Sequence, residues 1–216
     1  AILNNHAGVD FFKHRGFRNV RVIENCFPDV RFPRERPAGG IVRVVTVARF
    51  VRQKDYPVAI EAFMLALRKV PCLHYRIIGH GEEEAAIRKY VECKGVADRV
   101  EIMVNPPDVG RLVDECDIYL STSRWEGTSN SIMEAMDASL PVVATDAGDN
   151  KRLVENDKNG FIRAVGDVGG IAACLVELAR SPELRNEMGI CGNQILRERY
   201  GKAAFAAKYF ALLGCD

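Results

Sequence analysis

The sequence predicts an α/β fold, a parallel sheet with helices on both faces. Two observations predict it. Short apolar runs rich in β-branched residues recur along the chain, and stretches with apolar residues at helical spacing lie between them. Continuous apolar strands alternating with amphipathic helices are what a sheet buried on both faces requires.

The first strand is expected over 42–48, broken only by Arg43. A helix follows over 56–70, with Ile60, Phe63, Met64 and Leu67 on its apolar face. The next strand is expected at 73–79 and the next helix at 82–94, with Gly95 as its stop. A strand at 100–104, a short helix at 108–116 and a strand at 118–121 come next. A helix at 131–138 and strands at 142–145 and 161–165 complete the alternation. Residues 171–213 read as mostly helical and end on a stripe of Phe205, Tyr209, Leu212 and Leu213.

Residues 1–38 stand apart. The end of a helix is expected over 4–16 and a short strand over 21–24. Pro28, Pro33, Pro37, Gly39 and Gly40 then break any regular element, as a linker does. The chain opens on Ala1 and reads as a fragment of a longer protein. Its expected division is 1–38, 39–198 and 199–216, the last being a terminal helix.

The 216 residues suffice for one sizeable core. Lys and Arg number 30 against 29 Asp and Glu, so no global charge favours nucleic acid or an anionic membrane. The seven cysteines are scattered and form no CxxC, which fits reduced thiols in a cytoplasmic protein. No apolar run approaches the about 20 residues of a spanning helix.

In open parallel sheets ligands bind beyond the carboxyl ends of the strands. The loop after the first strand holds Arg49, Arg52 and Lys54. Arg49 can fork onto two oxygens of a diphosphate and Lys54 can add a point charge; a solvated basic loop is the plain alternative. Gly79-His80-Gly81 lacks the third glycine of a dinucleotide fingerprint, and Glu82 to Glu84 oppose a phosphate there. This loop reads as a tight turn. The loop after 118–121 is the informative one. Gly127 permits a turn, and Thr128, Ser129 and Asn130 offer amides and hydroxyls at a helix start, where an anion is stabilised. Glu126 precedes that helix and Glu134 lies about one turn inside it, leaning toward its start. Two carboxylates around an anion seat suit two hydroxylated rings with phosphates between them.

These residues resemble the E-x7-E signature of retaining GT-B glycosyltransferases, particularly family 4. Other words match in the same order: Val47-Ala48-Arg49 with Lys54, Ile77-Ile78-Gly79-His80-Gly81, Glu134-Ala135-Met136, and Leu140-Pro141-Val142-Val143-Ala144-Thr145-Asp146. The resemblance covers about residues 18 to 200. It implies a Rossmann-like C-terminal half of a GT-B fold that binds a nucleotide-diphosphate sugar. Arg49 and Lys54 would hold the diphosphate. Glu126 would be the catalytic carboxylate, facing the hydroxyls of the donor sugar. Gly127, Thr128, Ser129 and Asn130 would contact sugar and phosphate, and Glu134 the ribose. The loop near Val104 and Asn105 would lie beside the base. The resemblance implies no metal and no cofactor besides the donor substrate.

It also implies an acceptor, a glycan or a lipid-linked saccharide, held by an N-terminal domain of which 1–38 are the remnant and linker. The chain alone would then bind without efficient turnover. The setting implied is polysaccharide biosynthesis in the cytoplasm or at the inner face of the membrane. The sequence departs from the family at Ala138-Ser139, at Asn25-Cys26, and at Gly148-Asp149-Asn150 followed by Lys151-Arg152. Two alternatives use the same architecture: a GT-B type epimerase, which needs a catalytic acid and base, and a non-catalytic nucleotide-binding module. His6, His14, His74 and His80 carry no motif for the first, and the doubled glutamates argue against the second.

Overall fold

A computed structural model describes residues 1–37 and 39–214. Ala38, Cys215 and Asp216, which belong to the expected linker and terminal segment, lie outside the described residues. Two short strands, β1 (Ile2–Leu3) and β2 (Arg21–Val22), pair in parallel around helix α1 (Val9–His14). The main sheet holds β3 (Val42–Val47), β4 (Leu73–Gly79), β5 (Val100–Val104), β6 (Ile118–Ser121), β7 (Val142–Thr145) and β8 (Gly160–Arg163). All its pairs are parallel and the order is β5-β4-β3-β6-β7-β8. This is the expected Rossmann-like α/β fold. The strand order reverses between β3 and β6, which opens a crevice at their carboxyl ends.

Side chains alternate along the strands and feed two cores. On one face Val44, Ile77, Leu120 and Val143 pack under α2 (Tyr56–Leu67), α3 (Glu84–Cys93) and α7 (Val168–Arg180). On the other, Val45, Ile78, Tyr119 and Val142 pack under α4 (Val109–Asp114), α5 (Asn130–Asp137) and α8 (Pro182–Tyr200). Every residue of β6 and β7 is buried, as central strands of such a sheet must be. Burying each large apolar side chain stabilises the fold by about 1.5–3 kcal/mol, so these layers fix the frame on which the loops stand.

A short α6 (Asn150–Leu153) follows β7, and α9 (Lys202–Leu213) closes the chain. Neither α1 nor α9 buries a residue. Polar bonds tie α9 to the linker instead. Lys208 Nζ donates to Glu24 at 2.8 Å and Lys202 Nζ to Asp29 at 2.6 Å. The linker is clamped by Arg31, whose Nε donates to Asp137 at 2.6 Å and Nη1 to Asp114 at 2.9 Å. Cys26, Cys72, Cys93, Cys116, Cys174 and Cys191 are free thiols. Burial pushes Cys116 and Cys174 up to about 11, which makes them packing residues and poor nucleophiles.

Candidate functional site

The loops after β3 and β6 face each other across the crevice and are stitched together. Arg124 N–H donates to the Gln53 carbonyl at 2.8 Å, and Thr122 Oγ1 to the Lys54 carbonyl at 2.8 Å. Gln53 Nε2 holds the Trp125 carbonyl at 2.7 Å. Buried Asp55 takes Arg124 Nε at 2.7 Å. Through these bonds a single turn of 3-10 helix over Arg52–Lys54 delivers Lys54 to Glu126. Lys54 Nζ and Glu126 Oε1 form an ion pair whose side chains are only 14% and 10% exposed. Ser123 Oγ adds a hydrogen bond to the same carboxylate oxygen at 2.8 Å. Lys54 therefore meets a carboxylate of the site in this structure, where the family resemblance implied a diphosphate contact.

Beside that pair α5 begins. Its N-cap, Ser129, is extended and gives no side-chain cap. None of the backbone N–H groups from Gly127 to Ile132 donates to another group among the described residues. Consecutive amides at a helix start carry partial positive charge and attract an anion. The side chains are a different matter, because each has a partner. Thr128 Oγ1 donates to the Asn4 carbonyl at 3.1 Å and to Asp149 at 3.2 Å. Ser129 Oγ lies 3.2 Å from Ser131 Oγ, and the Asn130 side-chain oxygen Oδ1 accepts from Asn25 Nδ2 at 2.8 Å. Side chains of this loop fix its shape, and its backbone N–H groups are left without partners among the described residues.

The loop after β7 braces it from behind. Gly148 has φ +57°, and a Cβ there would stand 2.0 Å from the Glu126 carbonyl oxygen. Its neighbour Asp149 is buried and accepts from His6 N–H at 2.7 Å as well as from Thr128. Sequence reasoning did not place Asp149 in the site. The signal was the unusual Gly148-Asp149 pair itself.

The remaining candidates lie at the rim. Arg49 is exposed and has no hydrogen-bonding or ionic partner among the described residues, so its charge is free for a ligand. The turn Gly79-His80-Gly81 is packed directly on its loop. Phe50 N–H donates to the His80 carbonyl at 2.6 Å, and a Cβ on Gly79 would lie 1.9 Å from the Ala48 carbonyl oxygen. The glycines thus serve a backbone-to-backbone approach. Asn105 has φ +45°, and its N–H donates to the Gly79 carbonyl at 3.2 Å; neighbouring Val104 is exposed. Glu134 lines an open groove with Asn25, Asn130, Met133, Phe205 and Tyr209. It makes no hydrogen bond or ion pair among the described residues. Glu134 is exposed at one side, yet partial burial, helped by Asp137, raises its pKa above the ordinary value of 4.5.

Residues 32–194 match the family model of glycosyl transferases group 1. The chain belongs to the group 1 glycosyltransferases. Among its relatives is the amylovoran biosynthesis glycosyltransferase AmsK of Erwinia amylovora, 32% identical over 64% of this chain and 36% of AmsK. The lipopolysaccharide core biosynthesis glycosyltransferase LpsE of Rhizobium meliloti is 26% identical over 91% of this chain and 58% of LpsE. This chain thus spans between about a third and three fifths of these relatives. Solved structures share the fold. A TarM mutant of S. aureus, in complex with fondaparinux, α-GlcNAc-glycerol and UDP, superposes with a TM-score of 0.88 at 24% identity. That match covers 98% of this chain and 43% of TarM. Anabaena HepE, with UDP and glucose, gives 0.86 at 22% identity over 99% of this chain and 62% of HepE. In this group 1 glycosyltransferase chain, Glu126 and Glu134 therefore stand on a family-matched segment at the sheet's switch point.

Proposed function

We propose that this chain binds a nucleotide-diphosphate sugar and is the donor half of a two-domain glycosyltransferase. The enzyme transfers the sugar with retention of configuration to a glycan or lipid-linked acceptor, in polysaccharide biosynthesis on the cytoplasmic side of a membrane. One observation carries the reading: the run of unpaired amides from Gly127 to Ile132 beside the Lys54–Glu126 pair. A diphosphate is the anion that such a seat and the free cation Arg49 would accept together. Lys54 swings from Glu126 to the phosphates as they arrive, releasing Glu126 toward the hydroxyls of the donor sugar. Glu134 accepts the ribose hydroxyls. With these cations the departing diphosphate is stabilised without a metal ion.

The relatives support the setting, since AmsK and LpsE are named for amylovoran and lipopolysaccharide core biosynthesis. The shared length supports the division of labour: residues 39–198 hold the donor, and 1–38 with 199–216 lead toward a domain that holds the acceptor. No helix among the described residues is long and apolar enough to cross a membrane.

Thermal unfolding with UDP-, GDP-, ADP- and CMP-sugars tests the reading, UDP first because TarM and HepE were solved with it. A donor at about 100 times its Kd raises stability by about 2.7 kcal/mol, and EDTA leaves the gain intact. A melting temperature that none of them moves overturns the donor assignment.

A further inference from the structure

The structure assigns Asp149 as the positioning residue of the donor loop, the acceptor that ties the Gly127–Thr128 turn to the segment Asn4–His6. This deepens the donor reading and rests on it only for the effect on affinity. The observations are geometric. The Asp149 side chain is 4% exposed. Its Oδ2 accepts from His6 N–H at 2.7 Å and from Thr128 Oγ1 at 3.2 Å. Its own N–H donates to the Gly127 carbonyl at 3.3 Å. Its Oδ1 lies 3.9 Å from Arg152 Nε. Three stretches far apart in sequence therefore meet on one residue.

A buried carboxylate costs desolvation free energy and persists where its hydrogen bonds hold something in place. Here it holds the turn whose amides form the anion seat. The Thr128 hydroxyl is turned to Asp149 and the Asn4 carbonyl, and the backbone N–H groups of that turn keep no partner among the described residues. The tie continues through the segment it grips: His6 Nε2 meets Glu24 at 3.0 Å, and Glu24 meets Lys208 of α9 at 2.8 Å. Asp149 acts through Thr128 and His6; it need not touch the ligand.

The test uses Asp149→Ala, Asp149→Asn and Thr128→Val with two readouts. Trp125 is the only tryptophan, adjoins the loop and is exposed, so time-resolved anisotropy of its fluorescence reports local motion without any ligand. The fast-depolarising amplitude rises in Asp149→Ala and in Thr128→Val, and stays at the parent level in Asp149→Asn, whose amide oxygen can take both bonds at Oδ2. Affinity for UDP-sugar falls about tenfold in Asp149→Ala, as loss of hydrogen bonds to a charged group predicts. The Asp149→Ala and Thr128→Val losses do not add in the double variant, because they break one link. Parent-like anisotropy decay in a folded Asp149→Ala protein, or equal loosening in Asp149→Asn, overturns the assignment. If Asp149→Ala does not fold, Thr128→Val decides by the same decay. If the parent binds no nucleotide sugar, the donor reading fails while the anisotropy decay still judges Asp149.

Discussion

The two glutamates of the site live in opposite surroundings. Glu126 is enclosed, paired with Lys54 and bonded to Ser123 on loops stitched to the central strands. Glu134 faces an open groove, has no partner among the described residues and is bordered by α9, which buries nothing. The half of the crevice that stands on the sheet is built before any ligand arrives. The half beside the linker and α9 holds one unsatisfied acid and few constraints. Preorganised polar groups orient a reacting sugar; an open acid can accept hydroxyls from whatever enters. Under the proposed donor reading, this asymmetry gives positioning of the sugar to the Glu126 side and capture of the nucleotide to the Glu134 side.

Removing Lys54 is the largest blow to the enclosed half. Lys54→Ala leaves the Glu126 carboxylate buried with only Ser123 and Gln53 near it. Loss of one partner of a largely buried pair costs about 3 kcal/mol of stability. Denaturant unfolding measures it, and Lys54→Ala combined with Glu126→Gln regains part of the loss. If the single variant is as stable as the parent, the pair is not a structural element and the contrast with Glu134 collapses.

How far this contrast was legible in the sequence depends on what each residue touches. Strands β4, β5, β6 and β7 fall on the expected residues, because burial on both faces leaves an unbroken apolar signal. Helices are shorter than their patterns. In α3, Glu82 and Glu83 precede the first helical turn at Glu84, and α2 stops at Leu67 although Val70 is still buried. Apolar spacing records burial and not the last hydrogen-bonded turn. Glu126 and Glu134 were readable from their spacing around a Gly-Thr-Ser-Asn turn. The pairing of Lys54 with Glu126 was not, since sequence proximity says nothing about which acid a lysine meets across a crevice. Asp149 was hidden for the same reason: its partners are Thr128, on another loop, and His6, near the start of the chain.

Glu134 gives a smaller effect of opposite character. Glu134→Ala lowers affinity for bare nucleotide about tenfold, the scale of hydrogen bonds to a carboxylate. Glu126→Ala spares the bare nucleotide and erodes discrimination between sugars. Titration calorimetry with nucleotide and nucleotide sugar separates the two, and equal loss of bare-nucleotide affinity in both variants refutes the division. Acidity sharpens it. The Glu134 pKa is raised by burial and by Asp137, so its carboxyl keeps its proton to higher pH than an ordinary glutamate, whereas hydroxyl donors favour the ionised form. Nucleotide affinity therefore climbs as pH rises through that raised pKa, and Glu134→Gln flattens the climb.

The smallest effect belongs to the tie between linker and α9. Burial acts to raise the Glu24 carboxyl, yet Lys208 and His6 outweigh it and hold it near about 2 against an ordinary 4.5. A depressed acid contributes stability that is fully present above its unfolded value and is lost as pH falls through the folded one. The contribution thus stands above pH 4.5 and fades toward about 2. Lys208 is 39% exposed, so solvent screens the pair and Lys208→Ala costs only about 0.2–1 kcal/mol. Unfolding curves of parent and variant across that acid range converge when Glu24 protonates. Curves that stay parallel to the lowest pH would place the stability elsewhere and leave α9 held by its contacts with α8.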